Sequence, residues 1–141
     1  MEFLSKTPKQ TRKIAADLAH KIIKTKKGAI IGLEGELGAG KTVFVKGFAK
    51  ALGLKSKIKS PTFVLMKKYK TYDEMNLYHL DCYRIRNHED LKIPEFKEII
   101  HQSHNIVIVE WVERIKKILP KKHITVHIDH INKNERKITI K

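Results

Sequence analysis

Eight consecutive residues, Gly35-Glu36-Leu37-Gly38-Ala39-Gly40-Lys41-Thr42, put glycines, an ammonium and a hydroxyl at a spacing suited to gripping phosphate. They satisfy the pattern G-x-x-x-x-G-K-[ST] in full. Glycines at 35, 38 and 40 let the backbone turn tightly and aim N–H groups at phosphate oxygens with no side chain in the way. Together with Glu36, Leu37 and Ala39 they form a candidate phosphate cradle. Lys41 can reach the β and γ oxygens of a nucleotide, and the Thr42 hydroxyl can ligate Mg²⁺. At an average glycine usage of about 7%, chance produces the four fixed positions in well under ~1% of chains this long.

A nucleotide site of this type needs a further carboxylate for its metal. The apolar run Ile106-Val107-Ile108-Val109 delivers Glu110 at a strand's C-terminal end, where open α/β sheets build their sites. Many such strands end in Asp, so Glu110 is a variant of the pattern. Asp81, within His79-Leu80-Asp81-Cys82-Tyr83-Arg84, is a second acid on a strand. Alternation puts Leu77, His79, Asp81 and Tyr83 on one face and Tyr78, Leu80 and Cys82 on the other. An Asp there is either a site residue or the ion-pair partner of Arg84, and spacing alone does not choose.

The elements that must hold these residues can be read from patterning. Thr7-Pro8-Lys9-Gln10 is a helix start, with Thr7 as cap, Pro8 at the first helical position and Gln10 three residues on, as in a capping box. Ile14, Leu18 and Ile22 continue an apolar stripe, which ends near Lys26-Lys27-Gly28. Ala29 to Leu33 reads as a buried strand ahead of the glycine-rich loop, and Lys41 to Leu52 as the helix behind it, closed by Gly53. Strands over 62–70 and 76–84 form a hairpin. A helix is expected over 88–103, broken or started at Pro94. Asn105 to Glu110 is a strand, Trp111 to Leu119 a short helix, and 123–131 with 136–141 a second strand pair. The expected architecture is α/β: a single P-loop NTPase-like domain over 1–141, with a mixed parallel and antiparallel sheet flanked by helices.

Composition narrows the class. A chain of 141 residues favours one domain and buries a core without staples. No apolar run approaches the ~20 residues that span a bilayer, and the first residues lack the apolar core of a signal peptide. The one cysteine, Cys82, excludes an internal disulfide and makes a cytoplasmic location the simplest reading. Thirty Lys and Arg against fifteen Asp and Glu leave a formal charge of +15. That charge suits a polyanionic partner and suits equally a Lys-rich solvated surface. Between Gly53 and Lys70 there are six Lys and no acid, a block that favours a nucleic-acid or other polyanionic partner.

Other signals read as structure. Asn132-Lys133-Asn134-Glu135 is similar to a guanine-reading motif but ends in Glu between two alternating segments, so it reads as a hairpin turn. His123, His127 and His130, or His101 and His104, lack the cysteines and spacing of a zinc cage. Cys82 reads as a small core residue, and Trp111 as packing rather than base stacking.

Taken in order, Gly35 to Thr42, Ser60-Pro61-Thr62-Phe63, Tyr78 to Arg84 and Val109-Glu110-Trp111 resemble the TsaE (YjeE) family over nearly the whole chain, from about Thr7 onward. These are small P-loop ATPases needed to make N6-threonylcarbamoyladenosine (t6A37) in tRNA. The resemblance implies that Lys41 holds the phosphates of ATP and that Thr42 and Glu110 hold Mg²⁺. It places Asp81 near the γ-phosphate, acting in hydrolysis or its coupling, and makes Ser60–Phe63 a nucleotide-sensing segment. Thr11 and Trp111 would flank the nucleotide. It also implies the partners TsaD and TsaB, which act on tRNA, with ATP hydrolysis resetting their assembly. Weak activity is expected of the isolated chain because so bare a site does not close itself off from water. Cys82, Val112 and the segment Asp90–Phe96 depart from the family pattern. Two other readings remain open from the residues: a P-loop small-molecule or nucleotide kinase, and a non-catalytic nucleic-acid binder whose loop grips backbone phosphate.

Overall fold

The computed structural model describes residues 1–141 other than 37, 55, 56, 59–65, 72 and 92. Its strands are β1 (Glu2–Ser5), β2 (Ala29–Glu34), β3 (Met66–Lys70), β4 (Asn76–Asp81), β5 (Asn105–Glu110), β6 (Ile124–His130) and β7 (Arg136–Ile140). The helices are α1 (Pro8–Thr25), α2 (Lys41–Leu52) and α3 (Phe96–His101). All seven strands form one sheet in the order β1-β7-β6-β2-β5-β4-β3. The four central strands β6, β2, β5 and β4 run parallel, while β7, β1 and β3 add antiparallel at the two sides. The expected α/β class with a mixed sheet is therefore what the chain forms.

Period-two alternation sorts the strand side chains into two cores. Ile31 and Leu33 of β2, Ile106 and Ile108 of β5, and Val126 and Ile128 of β6 face α1 and α2. Ile30, Tyr78, Leu80, Cys82, Val107 and Val109 face the other side, where Phe96, Ile99 and Ile100 of α3 meet Val112 and Ile115. Phe44 and Phe48 of α2 are fully buried; truncating such a side chain to Ala costs about 3–5 kcal/mol. The edge strand β3 carries Lys67, Lys68 and Lys70, and charged edges discourage pairing with another chain.

The caps follow from local chemistry. Thr7 Oγ1 accepts from the Gln10 N–H at 3.1 Å, and the Gln10 carboxamide oxygen accepts from the Lys6 N–H at 2.6 Å. This capping box thus closes one residue earlier than the ideal form. At the far end Lys26, with φ 56°, makes the left-handed turn, so Gly28 is not the cap that composition suggested. α1 and α2 cross closely at Gly47, where an added Cβ would lie 2.6 Å from Arg12 Cα. No larger residue leaves the helices at this separation.

Several elements differ from expectation. The strand β1 was not anticipated; four residues are too few to show a period, and pairing with β7 creates it. β4 stops at Asp81 rather than continuing to Arg84, because Asp81 Oδ1 accepts from the Tyr83 N–H at 3.0 Å and turns the chain. In place of one helix over 88–103 there is a 3-10 turn, His88–Asp90, and the short α3. Pro94 disfavours helix at the residue before it and separates the two. Residues after β5 form two 3-10 turns, Val112–Arg114 and Lys116–Ile118, instead of a helix from Trp111, since Trp111 is itself left-handed at φ 58°. The expected strand over 62–70 is described only as β3, and Ser60–Phe63, Lys55, Lys59 and Leu37 lie outside the described residues.

Candidate functional site

The parallel strands β2, β4, β5 and β6 end on one side of the sheet, and that side gathers the residues of interest. The loop 35–40 leaves β2, and α2 begins at Lys41 with its N-terminus toward the loop. Gly38 and Gly40 have φ of +80° and +107°, and a Cβ built on Gly38 would meet nothing within 4 Å. Gly38 and Gly40 therefore put no side chain between the backbone of the loop and the N-terminus of α2, where an anion can approach. Arg136 of β7 braces it, donating from Nε to the Ala39 carbonyl at 3.1 Å.

Lys41 is buried, and its ammonium donates to the carbonyls of Gly35 and, at 3.3 Å, Glu36. The same nitrogen sits 3.7 Å from the centroid of the Trp111 ring, a cation–π distance. Burial lowers the Lys41 pKa, and attraction to Glu113, Glu110 and Asp81 opposes that shift. Trp111 is at once packing and site: it rests against the second core, stacks near Tyr83 at 5.2 Å between centroids, and lies under Lys41 and Arg114. A left-handed backbone at so bulky a residue costs on the order of 1–3 kcal/mol, and such strain gathers at functional positions.

Register pairs Asp81 with Glu110 across β4 and β5, so both carboxylates emerge side by side on the α2 face. Burial raises the Asp81 pKa, partly offset by the Tyr83 N–H bond, and the Glu110 charge adds to the rise. Among the described residues Asp81 makes no ion pair with the exposed Arg84, and its Oδ1 accepts from the Tyr83 N–H instead. Glu110 is buried, and its Oε2 lies 2.6 Å from His79 Nε2. Thr42, second in α2, is exposed. Thr42, Glu110 and Asp81 offer hard oxygen donors, the kind Mg²⁺ takes as one or two carboxylates alongside phosphate. The donor set fits that metal.

Thr11 is buried with its Oγ1 2.7 Å from Ser5 Oγ. It lines a cleft of about 410 Å³ that runs from Gly40 to the β6–β7 turn, with Pro8, Lys133, Asn134 and Arg136 on its walls. Asn132–Glu135 is the hairpin turn that its sequence predicts: Asn132 Oδ1 accepts from the N–H groups of Asn134 and Glu135 at 3.0 Å. Its second place, as a wall beside the loop, has no signal in the sequence because strand pairing alone brings it there. His79 shares the face of Asp81 by strand alternation, but its spacing carries no motif that marks it as part of the site. Cys82 is fully buried and its thiol is pushed up to about 12, mainly by burial, which makes it inert.

These features define a class: a small α/β protein in which a G-x-x-x-x-G-K-[ST] turn joins a central parallel strand to a helix, with two carboxylates at the neighbouring strand ends. The family model described as "Threonylcarbamoyl adenosine biosynthesis protein TsaE" matches residues 5–138, and the chain belongs to the TsaE family. It is 38% identical over 133 residues to the tRNA threonylcarbamoyladenosine biosynthesis protein TsaE of Bacillus subtilis, covering 94% of this chain and 79% of that one. The protein of the same name from Aquifex aeolicus is 38% identical over 143 residues, covering 99% and 98%. Among solved structures it is similar to the crystal structure of Bacillus subtilis YdiB, with 33% identity and a TM-score of 0.76, over 99% of this chain and 83% of that one. Among the described residues no helix is long and apolar enough to cross a membrane.

Proposed function

We propose that this chain is a Mg²⁺-dependent ATPase required for N6-threonylcarbamoyladenosine formation in tRNA, coupling nucleotide turnover to cycling of a TsaB–TsaD assembly in the cytoplasm. The observation that carries this is the Lys41 ammonium. It is buried beside the glycine loop, held by loop carbonyls and an aromatic face, with Glu113, Glu110 and Asp81 attracting it without a direct ion pair among the described residues, and an incoming phosphate would supply a counter-ion in contact. Names of the relatives support the pathway.

In this reading the loop N–H groups and Lys41 bind and orient the β and γ phosphates, and the cleft at Thr11 and Asn134 receives the nucleoside end. Thr42 and Glu110 would hold Mg²⁺, which would supply neutralisation of the charge developing on the phosphate oxygens. Asp81, its pKa raised by burial, stands beside Glu110 where its carboxylate can accept or order a proton from the attacking water. Trp111 covers Lys41 and limits water on that side.

The test is made in cells whose only copy carries Lys41→Ala. Bulk tRNA is digested and threonylcarbamoyladenosine quantified by mass spectrometry. Loss of the nucleoside, with the variant folded and abundant, is expected; unchanged levels would detach the phosphate loop from tRNA modification and return the kinase reading.

A further inference from the structure

Glu110 does not stand alone at its strand end. His79 Nε2 lies 2.6 Å from Glu110 Oε2, and both side chains are buried. The two come from adjacent parallel strands: β4 pairs His79 with Ile108, two residues before Glu110, so the ring reaches forward along the sheet to the carboxylate. His79 Nδ1 is buried with no partner among the described residues. Placing the ring proton on Nε2 makes His79 the donor and leaves only a lone pair unpartnered, a cheaper vacancy than a stranded N–H. The imidazole is therefore oriented by a single bond, and that bond is to Glu110.

We propose that His79 is the positioning residue for the metal-binding carboxylate: its Nε2–H ties Oε2 and turns the other oxygen, Oε1, toward the metal at the loop. This rests on the reading of Glu110 as a Mg²⁺ ligand and adds to it the group that fixes the ligand's rotamer. A carboxylate held at one oxygen meets the strict octahedral demand of Mg²⁺ without first losing its own freedom of rotation.

The experiment is isothermal titration of ADP into the purified chain with and without Mg²⁺, read as the ratio of the two affinities. Variants are His79→Leu, which fills the space without a donor, His79→Gln, whose amide can donate from near the Nε2 position, and Glu110→Gln. Outer-shell partners of this kind are worth roughly 10–100-fold in metal affinity. The Mg²⁺ ratio is expected to fall about tenfold in His79→Leu and Glu110→Gln and to be largely kept in His79→Gln. A merely structural His79 would scale both affinities together and leave the ratio alone. If Glu110→Gln loses the ratio while His79→Leu keeps it, the positioning role is overturned and the metal reading stands. If Glu110→Gln keeps it, Glu110 is not a ligand and both fall. Should His79→Leu fail to fold by circular dichroism, His79→Asn against His79→Gln decides, because only the longer amide reaches Glu110; equal ratios in the two would overturn the proposal.

Discussion

At the scale of single residues, charge pairing near the loop makes the protein sensitive to pH. Glu34, the residue before Gly35, accepts from Lys116 at 3.1 Å and from His127 at 3.1 Å, and His127 also meets Asp129 at 2.8 Å. Burial alone would lower the His127 pKa, but its bonds to Asp129 and Glu34 outweigh it and the net shift is upward from 6.5. Burial alone would raise Glu34, yet its bonds to Lys116 and His127 bring it below 4.5. A raised histidine stabilises most below its unfolded value and loses that contribution as pH climbs through its folded value. A lowered carboxylate does the reverse, contributing above its unfolded value and losing it in acid. The clasp is thus fullest between about pH 4.5 and 6.5. Thermal melts of wild type and His127→Gln are expected to differ most near pH 5.5 and to draw together as pH rises above the raised pKa of His127. A gap constant across that rise would mean the charge on His127 does not matter.

Elements impose a different kind of constraint, that of shape. Replacing Gly47 by Ala would gain about 1 kcal/mol of helix propensity, but the new Cβ would stand 2.6 Å from Arg12 Cα, a backbone atom that cannot swing aside. Overpacking typically costs about 1–3 kcal/mol, so the net sign is destabilising, and a melting temperature lowered by several degrees is expected; an unchanged or raised one would show that α1 and α2 can separate freely. The same distinction between local and non-local information explains what the sequence disclosed. The Thr7 cap, the buried stripes of β2 and β5, and the strand–loop–helix around Lys41 are written in neighbouring residues and were legible. The brevity of α3, the break at Pro94 and the left-handed Trp111 depend on what packs against them. β1 exists only because β7 is beside it, and the pairing of His79 with Glu110 or of Arg136 with the loop joins residues about thirty and a hundred positions apart. Motif spacing named the candidate groups, whereas sheet order decided which of them meet.

For the molecule as a whole the dominant fact is an excess of positive charge, thirty Lys and Arg against fifteen acids. Surface pairs such as Lys13–Asp17, Lys70–Glu74 and Lys137–Glu2 are exposed, and each contributes about 0–1 kcal/mol, weakened further by salt. Self-repulsion among the unmatched cations is screened by the same salt and acts over the whole surface. Repulsion should win, so the melting temperature is expected to rise as sodium chloride goes from about 0.02 to 0.5 M, where the Debye length shrinks to a few ångströms; a fall would mean that the few ion pairs carry more than the net charge does. Sheet order also sets a schedule for biosynthesis. β2 lies between β5 and β6, both encoded far downstream of the loop it feeds. A ribosome adding about 5–20 residues per second needs several seconds after the loop to make them. Until β5 has emerged β2 has neither neighbour beside it, and until β6 follows it has only one, so the nascent chain carries the phosphate-gripping residues without the full frame that would let them grip.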